Sequence, residues 1–221
     1  MVNFATDTEH PVIIPSAQVH LDGFLHIPQH ATGLVLFVHG SGSSRFSKRN
    51  QHVARILNQA HLATLLFDLF TPEEEAIDSR TAELRFDIEF LASRLLDVTK
   101  WCTKQLVTHS FPIGYFGAST GGGAALVAAA QELTTVKAVV SRGGRPDLAN
   151  TFLPKVKAPT LLIVGGNDVP VIQMNEEALS KMHCIKELKI VPGATHLFEE
   201  PGTLDQVAEL SKAWFVSYLH H

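Results

Sequence analysis

Ser119, Asp168 and His196 have the types and chain order needed for nucleophilic catalysis. Ser119 stands in Gly117-Ala118-Ser119-Thr120-Gly121, between an apolar, β-prone run and an alanine-rich, helix-prone run. A serine on a sharp strand-to-helix turn has its Oγ pushed out of the sheet edge. The strained backbone there needs small neighbours, which Gly117 and Gly121 provide. A helix opening at Thr120 points free N–H groups at the place where an oxyanion would form. A serine hydroxyl is a weak nucleophile until a base takes its proton and an acid orients that base. The apolar run 160–164 ends in Gly165-Gly166-Asn167-Asp168, which sets a carboxylate just past a buried strand. The shorter run 188–191 ends in Pro192-Gly193-Ala194-Thr195-His196, which sets an imidazole just past the next strand. Serine, then aspartate, then histidine, each on a loop after a strand, suits acyl transfer through a covalent intermediate.

Two further loops follow apolar runs. His39-Gly40-Ser41-Gly42-Ser43-Ser44-Arg45 comes after the run 34–38. Gly40 lets the backbone approach a substrate closely, and the N–H of Ser41 is the candidate second oxyanion donor beside that of Thr120. Glycines and serines before a helix also suit phosphate. The Gly-Lys-Ser/Thr of a P-loop is missing, which argues against nucleotide binding of that kind. Ser141-Arg142-Gly143-Gly144-Arg145-Pro146-Asp147 follows the run 136–140. Arg142 and Arg145 could hold a substrate carboxylate or phosphate. Alternatively they form structural ion pairs, with Asp147 or a glutamate of Glu73-Glu74-Glu75. Asp147 is also a rival for the triad acid; Asp168 is better placed, directly after the strand preceding that of His196.

Positioning these loops requires strands whose C-terminal ends lie side by side. Strand-like and helical runs alternate along the chain, which predicts an α/β domain with a mostly parallel sheet of about eight strands and helices on both faces. Residues 12–14 and 19–27 read as an opening antiparallel pair. Runs 34–38, 63–67, 113–116, 136–140, 160–164 and 188–191 read as the remaining strands. Helices are expected over 50–61, 83–105, 120–133, 171–182 and 204–219, with a short one near 146–152. The long one carries Leu84, Ile88, Leu91, Leu95 and Val98 on one face. Residues 71–75 read as a solvated loop or the cap of a short helix. The 221 residues read as one domain, and no inter-strand segment is long enough for a large lid. An open site for small or slender substrates is therefore expected.

The formal net charge of −4 gives no reason to expect a nucleic-acid or acidic-membrane partner. Basic residues are scattered apart from Arg45, Lys48 and Arg49, which read as one loop. No basic-then-apolar leader and no membrane-length apolar run is present in these residues, so the cytoplasm is the expected compartment. Cys102 and Cys184 read as free thiols. The histidines, His220 and His221 included, show no metal-ligand pairing, and the chemistry of the three residues calls for no cofactor or metal.

Together, the His39-Gly40-Ser41-Gly42 loop, the elbow at 117–121, the Gly-Gly-Asn-Asp turn at 165–168 and Gly193-Ala194-Thr195-His196 resemble the dienelactone hydrolase-like branch of the α/β-hydrolases. The resemblance runs from about residue 12 to residue 219. Residues 141–148 and 67–75 look like a bacterial subgroup, some of whose members are fused to a phosphoribosyltransferase domain; no such domain is present in these residues. The resemblance implies an α/β-hydrolase fold with a minimal cap and a Ser119–His196–Asp168 triad cleaving a small ester, lactone or thioester. Dienelactone hydrolase itself has a cysteine nucleophile where this chain has Ser119, so its substrate does not carry over. Two other readings remain open: a non-catalytic anion-binding protein on this scaffold, and an acyltransferase using the same acyl-enzyme.

Overall fold

The computed structural model describes residues 4–105 and 107–219. His220 and His221 therefore lie outside the described residues. The strands are β1 (Glu9–Ser16), β2 (Val19–His26), β3 (Gly33–Val38), β4 (Leu62–Phe67), β5 (Ile113–Ala118), β6 (Val136–Arg142), β7 (Thr160–Gly165) and β8 (Lys186–Val191). They form one sheet in the order β1-β2-β4-β3-β5-β6-β7-β8. β1 and β2 pair antiparallel, with Val12 opposite Gly23 and Ile14 opposite Leu21. β2 pairs antiparallel with β4, and from β4 to β8 every neighbouring pair is parallel.

Every residue of β3, β4, β5 and β7 is buried. Strands covered on both faces have no use for polar alternation, which is why these runs are continuously apolar. α1 (Lys48–Gln59) and α6 (Thr203–Tyr218) cover one face. There Val53 and Leu57 of α1 and Val207 and Phe215 of α6 pack in one cluster with Phe37, Phe116, Val140 and Ile163. α3 (Ile88–Lys104) and α4 (Thr120–Gln131) cover the other, where Leu91, Leu95 and Ala125 cluster with Leu36, Tyr115 and Val139. α4 is buried on all sides from Thr120 to Ala130, so its alanines and glycines are the side chains that fit. A 3-10 helix (Pro146–Lys155) and α5 (Val169–Lys181) complete the order.

The expected helix over 83–105 starts five residues late, and a separate helix precedes it where residues 71–75 read as a loop or the cap of a short helix. α2 spans Pro72–Thr81, and α3 begins only at Ile88. Thr71 caps α2 through its Oγ1, which accepts from Glu74 N at 3.2 Å, while Glu74 Oε2 accepts from Thr71 N at 2.9 Å. Ala82 ends it in the left-handed region at φ +56°. Asp78 then holds the link: its Oδ1 accepts from Leu84 N at 2.8 Å and Arg85 N at 3.0 Å. Leu84 fits the heptad-like spacing by sequence, but its N–H is taken by a side chain rather than a helical carbonyl. A second correction concerns the basic cluster. Arg45 lies on a loop, but Lys48 and Arg49 form the first turn of α1. No described helix is long and apolar enough to cross a membrane.

Candidate active site

The fold brings the loops after β3, β5, β6, β7 and β8 to one end of the sheet. Ser119 adopts φ +52°, ψ −121°, a conformation costly for any side-chain-bearing residue. The surroundings over-determine it. Ser119 N donates to Arg142 O at 3.2 Å, and Ser119 O accepts from Gly122 N at 2.9 Å and Arg145 N at 3.0 Å. A Cβ on Gly117 would lie 2.5 Å from Gly121 O, and one on Gly121 would overlap the Val38 carbonyl. Both positions therefore require glycine, as the strain argument from sequence expects.

His196 Nδ1 and Asp168 Oδ2 are 2.6 Å apart. Because the carboxylate oxygen accepts, the ring proton sits on Nδ1 and Nε2 is left with a free lone pair. The two loops are stitched together by Gly166 N donating to Val191 O, Asn167 N to Ala194 O and Asn167 Nδ2 to Gly193 O, at 2.8, 2.9 and 3.0 Å. The His196 side chain is 38% exposed and that of Asp168 15%, so the imidazole faces solvent while its partner is shielded. Gly143 passes beneath the ring: a Cβ there would lie 3.5 Å from His196 Cε1. Arg142 O, the carbonyl just before Gly143, accepts the Ser119 N–H, which sets elbow and imidazole side by side. No hydrogen bond joins Ser119 Oγ to His196 among the described residues. Such bonds often close only around substrate.

Glu200 was not singled out by sequence. Its Oε1 accepts from Thr195 Oγ1 at 2.6 Å and its Oε2 from Thr195 N at 3.1 Å. Those bonds, the hydroxyl's foremost, hold the Glu200 carboxyl below its ordinary range. The carboxylate thus fixes the residue before His196, a role that no spacing rule would have revealed.

Thr120 is the first residue of α4, so its N–H has no intrahelical acceptor. Ser41 N donates to Thr120 Oγ1 at 3.1 Å, and the two hydroxyl oxygens are also 3.1 Å apart. Gly40 packs against the elbow, where a Cβ would lie 3.0 Å from Ala118 O. His39 supports this loop from below. Its Nε2 accepts from Leu69 N at 3.0 Å and its Nδ1 donates to Gly40 O at 2.9 Å. That pair of bonds defines a neutral ring, and burial pushes its pKa down.

The two arginines after β6 part company. Arg145 binds Asp147 through Nε at 2.9 Å and Nη2 at 2.7 Å. This is the ion-pair alternative, and it occupies both Arg145 and the rival acid. Arg142 is 7% exposed, and its Nε and Nη1 have no hydrogen-bond partner among the described residues. A cavity of about 400 Å³ opens beside the 39–45 loop, lined in part by His20, Asp22, Arg45, Phe70 and Glu75. No group of three or more described His, Cys, Asp or Glu residues could hold a metal ion.

Residues 21–217 match the dienelactone hydrolase family. A dienelactone hydrolase from Anabaena variabilis is 62% identical, with 96% of this chain and 99% of that chain covered and a TM-score of 0.95. A lidless α/β serine hydrolase from Xanthomonas campestris is similar in fold at 18% identity, with 99% and 98% covered and a TM-score of 0.78. A Mycobacterium tuberculosis protein with the provisional name of phosphoribosyl transferase is 56% identical over 211 residues, 96% of this chain. The chain spans only 47% of the length of that relative.

Proposed function

Because the chain belongs to the dienelactone hydrolase family, we propose that it is a serine hydrolase of small carboxylic esters, lactones or thioesters. The observation that carries this reading is the 2.6 Å contact between His196 Nδ1 and Asp168 Oδ2 beside the strained Ser119 turn. Ser119 Oγ attacks the substrate carbonyl while His196 Nε2 takes its proton. Asp168 holds the Nδ1 proton and stabilises the imidazolium. The carbonyl oxygen gains negative charge and is met by the N–H groups of Thr120 and Ser41, each worth about 3 kcal/mol of barrier. Ser41 N leaves the Thr120 hydroxyl to do so, exchanging a neutral acceptor for a charged one, which is the stronger bond. His196 then protonates the leaving oxygen or sulfur. Water, deprotonated by the same imidazole, releases the acid and restores Ser119.

Two features favour small substrates: the absence of a lid-sized insertion between the described strands and the exposed imidazole. The transferase name belongs to relatives about twice this chain's length, and the groups gathered here are those of acyl transfer to water. A fluorophosphonate probe with mass spectrometry tests the reading. A stoichiometric adduct on Ser119, lost in His196→Ala, is expected. A folded protein that stays unlabelled would overturn it.

A further inference from the structure

Arg142 is a guanidinium buried without a counter-ion. Its Cζ lies 5.9 Å from the Phe198 ring centroid, and no ion pair among the described residues includes it. Arg45, Arg85, Arg94 and Arg145, by contrast, each have a carboxylate partner. Burial, with Arg49 nearby, pushes the Arg142 pKa down to about 10, so it stays charged at neutral pH. Arg49 adds to the imbalance. Its Nε is sealed without a partner, and its Nη1 reaches only the exposed Glu199, at 3.5 Å. Lys48 and Arg49 also occupy the first turn of α1, which holds no acidic residue. The helix dipole favours an anion at that end. An uncompensated buried charge destabilises a fold, so a fold that keeps one gains from something that binds to it.

The place matters as much as the charge. Arg142 O anchors Ser119 N, Gly143 carries the His196 ring, and Phe198 is held in the left-handed region at φ +55° against the guanidinium. The backbone that carries Arg142 thus touches the elbow and runs under the imidazole, while its guanidinium lies toward Phe198 and Arg49 at the start of α1.

We propose that Arg142 and Arg49 form an oxyanion subsite for the non-reacting end of the substrate, and that the group it takes is a phosphate. The two guanidiniums, whose one ion-pair partner among the described residues is the exposed Glu199, match a dianion better than a monoanion, and a helix N-terminus is a ready phosphate site. The inference rests on the hydrolase reading for its link to turnover, but not for the binding itself.

Inorganic phosphate and succinate, at constant ionic strength, are the probes. Thermal unfolding is followed for the wild type, Arg142→Met and Arg49→Gln, and phosphate inhibition is measured with 4-nitrophenyl acetate. Phosphate is expected to raise the wild-type Tm and to compete with the ester. Arg142→Met is expected to melt higher than wild type without phosphate, and to weaken phosphate binding at least about tenfold. Arg49→Gln is expected to weaken it about threefold and serves as the deciding variant should Arg142→Met fail to fold. Four results would overturn the proposal: no phosphate shift, a shift with succinate alone, non-competitive inhibition, or a lower Tm for an Arg142→Met protein that folds. An unlabelled Ser119 beside an intact phosphate shift would sink the hydrolase reading and leave the subsite standing.

Discussion

The Ser41 N–H donates to the Thr120 hydroxyl oxygen at 3.1 Å. One candidate oxyanion donor is therefore held by the side chain of the residue that supplies the other. The hydroxyl keeps the 39–45 loop against the elbow before substrate arrives, and Ser41 Oγ can donate to it once the N–H turns to the oxyanion.

Removing that hydroxyl leaves both N–H groups in the chain but loosens the second. Thr120→Ala removes the hydroxyl that Ser41 Oγ still holds when Ser41 N turns to the oxyanion, a neutral bond of about 1 kcal/mol, and kcat for a small ester is expected to fall about fivefold. KM should change little, because the bond acts on the transition-state donor. Steady-state kinetics with 4-nitrophenyl acetate decide it. An unchanged kcat would mean that Ser41 is not an oxyanion donor.

Two aspartates competed for one role, and the variants Asp168→Asn and Asp147→Asn separate them. An asparagine at 168 favours the wrong imidazole tautomer, so kcat is expected to drop by about three to four orders of magnitude with little loss of fold. Asp147 pairs with Arg145 at a half-exposed position, a bond worth at most about 1 kcal/mol. Asp147→Asn should keep kcat within about threefold. The reverse ranking would reassign the acid.

Ser119 and Asp168 were legible because each stands at the end of a strand buried on both faces, and continuous apolar runs are hard to mistake. β5 and β7 are buried throughout, so their ends mark the catalytic loops. The exposed edge strand β8, which precedes His196, is weaker in pattern and begins at Lys186, two residues before the apolar run 188–191. The division between α2 and α3 was hidden for a different reason: it is made by the Asp78 carboxylate acting on residues six and seven positions ahead. Periodicity carries no trace of such a bond. Arg142 and Arg145 share a side chain and a loop. What distinguishes them is the Asp147 carboxylate on Arg145 and the lack of an ion-pair partner for Arg142 among the described residues.

His39 gives a pH dependence whose sign can be worked out. Burial lowers its folded pKa below the unfolded value of 6.5, while the Gly40 bond and Asp68 offset this only in part. As pH falls through 6.5, the unfolded chain takes up a proton that folded His39 refuses. Stability therefore falls with pH by up to about 1.4 kcal/mol per unit until the folded pKa is reached. In His39→Gln that part of the slope is expected to vanish. Urea unfolding at several pH values between about 6.5 and about 5 measures the difference. Parallel slopes for the two proteins would show that His39 is not the titrating group.

Asp78 acts lower on the pH scale and through the opposite charge. It is almost fully buried, and burial alone would raise its pKa. The Arg85 N–H, the Arg85 guanidinium at 2.7 Å and the Leu84 N–H outweigh that and hold it below 3.8. A depressed carboxylate contributes its full stability above 3.8 and loses it as pH falls through the folded value. Asp78→Ala leaves two backbone donors and Arg85 Nε without their acceptor at the α2–α3 link, while Arg85 Nη2 keeps the Asp78 carbonyl, at a cost of about 3 kcal/mol at neutral pH. The variant should also lose less stability than wild type between about pH 4 and about pH 2, because the group that would titrate is gone. The two acid responses are thus separable. His39→Gln flattens the upper part of the stability curve and Asp78→Ala the lower, and hydrogen exchange should show the Asp78→Ala loosening concentrated between residues 78 and 88. Protection unchanged there would mean that the carboxylate does not hold the link.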